Sequence, residues 1–305
     1  MFKGIYTPII TILKENGMFD FPQMEKHINN LINNGINGIL FFGSIGEFYA
    51  FSKDEKKNMI DFAVASVNGR VPVLIGVGGT VKEEVIDLSK YCKNAGVDAV
   101  TIISPYYFGP TDKAAELYFS EIAEAIELPI MLYNFPARTG SDLTPELVYK
   151  LALKYKNIVA IKDTVDNISH TRKIIQKVKS VRPDFAVLSG FDEYYLVNRA
   201  SGGDGVLCGL TNVEPKLFAT LHEAYENKDF LTTEKCAKKV AILMKLYDTT
   251  DLFVTGIKAS VKAKGLEISA YTKAPAVQLT NEQYQNILNI IEEALGDGSS
   301  VTINK

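Results

Sequence analysis

The stretch Ile158-Val-Ala-Ile-Lys162 is an apolar run that closes on a lysine, and an amphipathic segment, Ser169–Val178, follows it within a few residues. A continuous apolar run of this length is the pattern of a parallel strand covered on both faces. The same unit repeats in both directions along the chain. Further strands are expected at Gly4–Leu13, Gly38–Phe42, Val71–Val77, Ala99–Ser104, Pro129–Asn134, Phe185–Ser189 and Gly205–Cys208. Between them lie segments with helical spacing. In Phe21–Asn34, Met24, Ile28, Leu31 and Ile32 make an i, i+4, i+7, i+8 stripe. Comparable stripes occupy Lys53–Val67, Lys82–Lys93, Asp112–Ile126, Pro145–Lys154, Glu193–Ala200 and Pro215–Asn227. Thr144-Pro145 reads as an N-cap followed by proline at the first helical position.

Eight strands alternating with eight helices is the arithmetic of an α/β protein, a (β/α)₈ TIM barrel. The competitor is a doubly wound sheet, but Gly76-Val-Gly-Gly79 lacks the third glycine of its dinucleotide fingerprint. After Asn227 no further strand is expected. Three helices, near Phe230–Tyr247, Asp251–Lys264 and Asn281–Leu295, would form a C-terminal helical extension. The expected organisation is a barrel over residues 1–227, the extension over 228–295, and a frayed tail over 296–305.

Composition excludes several functions. Thirty-three basic against thirty-six acidic residues leave a net charge of −3, a poor footprint for nucleic acid. No segment approaches the roughly 18 continuous apolar residues of a membrane span. The apolar amino terminus lacks a separate charged region and a small-residue cleavage site, so it reads as a first buried strand rather than a signal peptide. Cys92, Cys208 and Cys236 lie far apart, in no metal-like spacing, and read as reduced thiols of a cytoplasmic protein.

A barrel places its chemistry at the carboxyl ends of its strands. Those ends are Thr7-Pro8, Gly43-Ser-Ile-Gly-Glu47, Gly76–Gly79, Ser104-Pro-Tyr-Tyr107, Tyr133-Asn134, Lys162-Asp163, Ser189-Gly190 and Cys208-Gly209. None carries a histidine. His27, His170 and His222 fall in helical segments, where solvated or helix-packing roles are expected. No metal-ligand cluster and no Gly-x-Ser-x-Gly elbow assembles. Lys162 is the only lysine among the strand ends. An ammonium buried without a partner loses its proton more easily, and the free amine is the nucleophile that makes a Schiff base with a carbonyl. The competing reading is an ion pair with Asp163 or with an acid across the barrel. Tyr106, Tyr107 and Tyr133 could shuttle protons at such a centre, although tyrosine is also a common core residue. The Gly43–Glu47 turn lets backbone N–H groups approach an anion such as a carboxylate.

Together, Gly43-Ser-Ile-Gly-Glu47, Tyr133-Asn-Phe-Pro-Ala-Arg-Thr-Gly140 and Ile161-Lys-Asp163 resemble the signatures of the dihydrodipicolinate synthase/N-acetylneuraminate lyase family. Thr7-Pro8, Ser104-Pro-Tyr-Tyr107, Ser189-Gly190 and Gly202-Gly-Asp-Gly-Val206 support it in the same order. The resemblance implies a class I pyruvate-dependent aldolase or lyase on a TIM barrel, assembled as a homotetramer and acting on a small keto acid without metal or organic cofactor. It implies Lys162 as the Schiff-base lysine, Tyr133 and Ser44 as the proton relay, and Tyr107 as a tyrosine contributed across a subunit interface. It also implies Ser44 and Ile45 as the carboxylate turn, with Gly190 and Leu207 lining the pyruvate pocket.

Within the family, Lys162-Asp-Thr164, Ile168-Ser-His-Thr171 and Met131-Leu-Tyr-Asn-Phe-Pro136 look most like 2-keto-3-deoxy-sugar-acid aldolases, in which Thr164 would bond a substrate hydroxyl. Arg138 stands where dihydrodipicolinate synthases grip the carboxylate of the aldehyde substrate, and otherwise reads as a rim salt bridge. Three functions therefore compete: cleavage of a sugar acid such as 2-keto-3-deoxygluconate, condensation of pyruvate with aspartate semialdehyde (4-hydroxy-tetrahydrodipicolinate synthase), and a non-catalytic barrel that binds a keto acid.

Overall fold

The computed structural model describes residues 2–296. Eight strands, β1 Gly4–Pro8, β2 Gly38–Phe41, β3 Val73–Gly76, β4 Ala99–Ile103, β5 Ile130–Asn134, β6 Ile158–Asp163, β7 Ala186–Ser189 and β8 Gly205–Leu207, close into one parallel barrel in chain order. The helices are α1 Phe21–Asn33, α2 Lys53–Val67, α3 Lys82–Ala95, α4 Asp112–Ala125, α5 Pro136–Thr139, α6 Pro145–Lys154, α7 Ile168–Lys179, α8 Tyr195–Ala200, α9 Pro215–Glu226, α10 Phe230–Leu243, α11 Phe253–Ala263 and α12 Asn281–Leu295. This is the expected TIM barrel, followed by C-terminal helices. Among the described residues, no helix is long and apolar enough to cross a membrane.

Local chemistry explains the boundaries. Ser52 and Glu55 form a reciprocal capping box at the start of α2. Thr144 accepts from the Leu147 N–H ahead of Pro145, so the cap read from the sequence is formed. The first strand is shorter than expected. Past Pro8 the chain leaves the barrel, yet Ile9, Ile10, Ile12 and Leu13 stay buried, so the apolar run is continuous although the strand is not. Two expected helices also break. Residues 192–194 form a 3₁₀ turn before α8, and Met244–Asp248 form another after α10. The expected last ten residues of tail lie outside the described residues from 297 onward.

Two cores result. One fills the space between strands and helices, with residues such as Ile39, Val100, Leu132, Ile161 and Val187 facing outward from the barrel. The other fills the barrel itself with Phe2, Tyr6, Leu40, Leu74, Ala99, Met131, Ala160, Ala186, Leu188 and Leu207. Because side chains alternate along a strand, residues two positions further on point into the same interior, one rung closer to the mouth.

Candidate active site

Two positions beyond Met131 and Ala160 stand Tyr133 and Lys162, paired in register across β5 and β6. Lys162 is 5% exposed, and its Nζ lies 4.3 Å from the centre of the Tyr133 ring. Tyr133 Oη is 3.2 Å from Ser44 Oγ, and either oxygen can donate. Ser44 and Ile45 sit in the tight turn after β2, where the Gly46 N–H donates to Gly43 O at 3.0 Å. Among the described residues, the Ser44 and Ile45 N–H groups donate to no protein acceptor. Such N–H groups are suited to an anion.

The turn is anchored from below. Glu47 adopts a left-handed conformation, φ 57°, and is fully buried. Its carboxylate pairs with Lys258 of α11, also fully buried, and accepts the Lys273 N–H at 2.9 Å. Lys258 further donates to Tyr271 O at 2.8 Å. Burial pulls the Lys258 amine below its ordinary range, and the Glu47 charge opposes that pull.

Lys162 does not pair with Asp163. The Asp163 carboxylate accepts from Asn134 Nδ2 at 3.0 Å, His170 Nδ1 at 3.0 Å and Thr171 Oγ1 at 2.6 Å. Asp142 takes the other side of the same cluster, from Asn134 Nδ2 at 2.8 Å and His170 Nε2 at 3.1 Å. His170 thus corrects the helix-packing role expected of it. Burial alone would lower its pKa, but the hydrogen bonds it donates to Asp142 and Asp163, with their charges, outweigh that and push it up to about 9. His27 is the converse. Fully buried, it hydrogen-bonds Asn212 at 3.0 Å, and burial pulls it down to about 4. His222 hydrogen-bonds Tyr195 at 2.6 Å.

Thr164 caps the exit of β6. Its N–H donates to Asn134 O at 2.8 Å, while its buried Oγ1 has no partner among the described residues. That hydroxyl presses on Gly190, where a Cβ would fall 1.8 Å from it. Only glycine leaves the space. Arg138 rides on the short α5, its guanidinium 5.9 Å from the ring centres of both Phe135 and Phe253. Among the described residues it has no ion pair, so the rim salt bridge is not formed.

Lys162, Tyr133, Ser44, Ile45, Arg138, Thr164 and Gly190 all line one cavity of about 610 Å³. Two expected residues lie elsewhere. Leu207 is fully buried in the barrel interior beneath the cavity, packed with that apolar cluster. Tyr107 is 89% exposed, with φ 80° and its ring edge-on to Phe108. The cavity also contains residues that sequence reading missed. Asp192, two residues beyond Gly190, is buried and accepts from Tyr247 Oη at 2.8 Å and the Leu210 N–H at 2.8 Å. Burial raises its carboxyl, and those two bonds oppose the rise. Its closeness to the Ser189-Gly190 strand end was the available signal. Met244, Lys245, Asp248 and Phe253 complete the outer wall from the C-terminal helices. Nothing in their spacing points toward a barrel mouth.

An eight-stranded barrel whose mouth gathers a buried lysine, a tyrosine–serine pair and free backbone N–H groups has the architecture of a keto-acid lyase. The chain belongs to the dihydrodipicolinate synthetase family, whose sequence profile matches residues 1–294, and is a pyruvate-dependent class I aldolase or lyase. It is similar to YagE of Escherichia coli K12, at 36% identity over 96% of this chain and 97% of that one. YagE carries a provisional name as a 2-dehydro-3-deoxy-D-gluconate aldolase. A crystal structure of YagE in complex with pyruvate matches with a TM-score of 0.94, covering 96% of this chain and 99% of that one. YjhH of the same organism, provisionally a 2-dehydro-3-deoxy-D-pentonate aldolase, is 37% identical over 92% of this chain and 93% of its own. The 4-hydroxy-tetrahydrodipicolinate synthase of Methanocaldococcus jannaschii is 41% identical over 80% of this chain and 83% of its own.

Proposed function

We propose that this chain cleaves a 2-keto-3-deoxy sugar acid, such as 2-keto-3-deoxygluconate, to pyruvate and an aldehyde. The observation that carries the reading is the Thr164 hydroxyl, without a partner among the described residues and buried at the wall of the Lys162 cavity, where a substrate hydroxyl would satisfy it. In this reading the Ser44 and Ile45 N–H groups hold the substrate carboxylate. The Lys162 amine adds to the C2 ketone and water leaves, giving an iminium. Tyr133 gives its proton to the departing water and then, its oxygen held by the Ser44 hydroxyl, takes the proton of the C4 hydroxyl. The C3–C4 bonding pair then flows into the iminium, forming an enamine and releasing the aldehyde. Protonation at C3 and hydrolysis return pyruvate and free Lys162. Gly190 shapes the pyruvate end, Leu207 backs the cavity from the barrel interior below, and Tyr107 serves a neighbouring subunit of a cytoplasmic homotetramer.

Borohydride reduction in the presence of pyruvate tests the core of this reading. Intact mass should rise by one reduced pyruvate adduct, mapped to Lys162. The absence of an adduct would leave the non-catalytic keto-acid binder standing. A second enzymatic reading is favoured by Arg138, a cation on the cavity wall that has no ion pair among the described residues and could grip an aldehyde carboxylate. It predicts that aspartate semialdehyde with pyruvate outruns 2-keto-3-deoxygluconate by orders of magnitude in kcat/KM, and that Arg138→Ala selectively damages that condensation.

A further inference from the structure

β4 carries Thr101 two residues beyond Ala99, so its side chain points into the barrel interior, one rung above the apolar floor. It is 2% exposed, and its Oγ1 meets no hydrogen-bonding partner among the described residues. A buried hydroxyl in a folded protein is ordinarily satisfied by a protein group or an ordered water. Beside it lies a small recess bounded by Thr101, Ser44, Tyr133, Phe48 and Gly76, in which the centre of a water molecule has about 10 Å³. That is close to the room one water requires. Gly76 keeps the recess open. A Cβ there would fall 2.0 Å from the Phe42 carbonyl oxygen, so the fold admits no side chain at that wall.

The recess therefore brings an orphaned hydroxyl together with the pair that the proposed reaction uses. Ser44 Oγ has one proton to donate and two lone pairs, and Tyr133 engages only one of these three. We propose that a single ordered water occupies the recess and bridges Thr101 Oγ1 and Ser44 Oγ. It accepts from Thr101 and donates to Ser44. The Ser44 proton then points at Tyr133 Oη, and the Tyr133 proton points into the cavity toward Lys162. No proton changes owner in this arrangement; the water sets the direction of the chain of hydrogen bonds. Thr101 is thus a positioning residue, acting on the tyrosine through one water and one serine. This inference rests on the proposed roles of Lys162, Tyr133 and Ser44.

Thr101→Val keeps the shape of the side chain and removes its hydrogen bond, whereas Thr101→Ser keeps the hydroxyl. The assay is exchange of the pyruvate methyl protons in D₂O, followed by NMR, which reports proton transfer at the enamine carbon. For Thr101→Val the exchange kcat should fall about tenfold, the worth of one hydrogen bond. KM for pyruvate and the endpoint of borohydride trapping at saturating pyruvate should stay at wild-type values. Thr101→Ser should recover most of the rate. A crystal structure of the wild-type protein, independent of any variant, should show an ordered water about 2.8 Å from both Thr101 Oγ1 and Ser44 Oγ. Wild-type exchange in Thr101→Val, equal losses in the serine and valine variants, or a recess without water would each overturn the proposal. Absence of a Lys162 adduct in the wild-type protein would instead overturn the underlying reaction, while the crystallographic arm would still judge the water.

Discussion

Two successive rungs inside the barrel, built by the same strands, have opposite chemistry. The lower holds Leu40, Leu74, Ala99, Met131, Ala160 and Ala186, with no polar side-chain atom to satisfy. Two positions further along β3, β4, β5 and β6 stand Gly76, Thr101, Tyr133 and Lys162. The backbone is alike in both, because a strand returns each second side chain to the same face. What differs is what holds the side chains in place. The floor is governed by volume and needs only close packing. The mouth holds polar groups in a buried setting, and each must find a partner or a ligand. Support therefore comes from outside the barrel, from Lys258 beneath Glu47 and from the Asp142–His170–Asp163 cluster behind β6. The difference teaches that stability and chemistry are separable by rung.

The largest test of that separation is Lys162→Met. Turnover of 2-keto-3-deoxygluconate should fall by on the order of 10⁶-fold, as on removal of another enzyme's essential nucleophile. The unfolding temperature should not drop, since a buried polar head group is replaced by an apolar chain of similar length. Calorimetry showing both falling together would break the comparison. Glu47→Gln comes next. It leaves Lys258 buried without its counter-charge and should cost about 3–5 kcal/mol in urea unfolding. Pairing it with Lys258→Met should restore most of the loss, and failure to do so would mean that Glu47 acts through some other contact.

In the floor, Leu207→Ala should destabilise by about 2–5 kcal/mol through the cavity it leaves. Its kcat should change less than about threefold; a larger loss would move Leu207 into the pyruvate pocket that family resemblance assigns it. The smallest expected effect belongs to His170→Gln. The His170 pKa of about 9 lies above its ordinary value of 6.5, so its charge stabilises the fold fully below 6.5 and ceases to do so as pH rises through 9. The gap in unfolding temperature between wild type and variant should be widest at mildly acidic pH and close above pH 9. A gap independent of pH would remove the ion pairs with Asp142 and Asp163 from the account. His27, held neutral by burial, has the opposite sign and weakens the fold only in acid.

Much of the site was legible because strand ends are short and the barrel converges them. Lys162, Tyr133, Ser44, Ile45, Arg138, Thr164 and Gly190 line one cavity, and each lies at or just past a strand end. Sequence reasoning was weaker wherever the partner is distant. It weighed Asp163 as the partner of Lys162 because the two are adjacent, but neighbours on a strand point to opposite faces, and Asp163 turns outward to His170. It assigned His170 to helix packing because nothing local shows that two carboxylates converge on it. The same limit hid Lys258, which lies 211 positions from Glu47 along the chain. Tyr247, whose hydroxyl reaches Asp192, was read only as the end of a helix.

The sequence alone determined the alternation of apolar runs with amphipathic stripes, and with it the closed barrel and the place of the lysine. These follow from periodicity and from the rule that strand ends carry the chemistry, both properties of neighbouring residues. Only the tertiary structure decided which charges pair, which hydroxyls are left without partners, and that the outer wall of the cavity is built by helices beyond the barrel. Those outcomes depend on side chains far apart in the chain meeting where water is excluded, and there a single missing partner decides what a group can do.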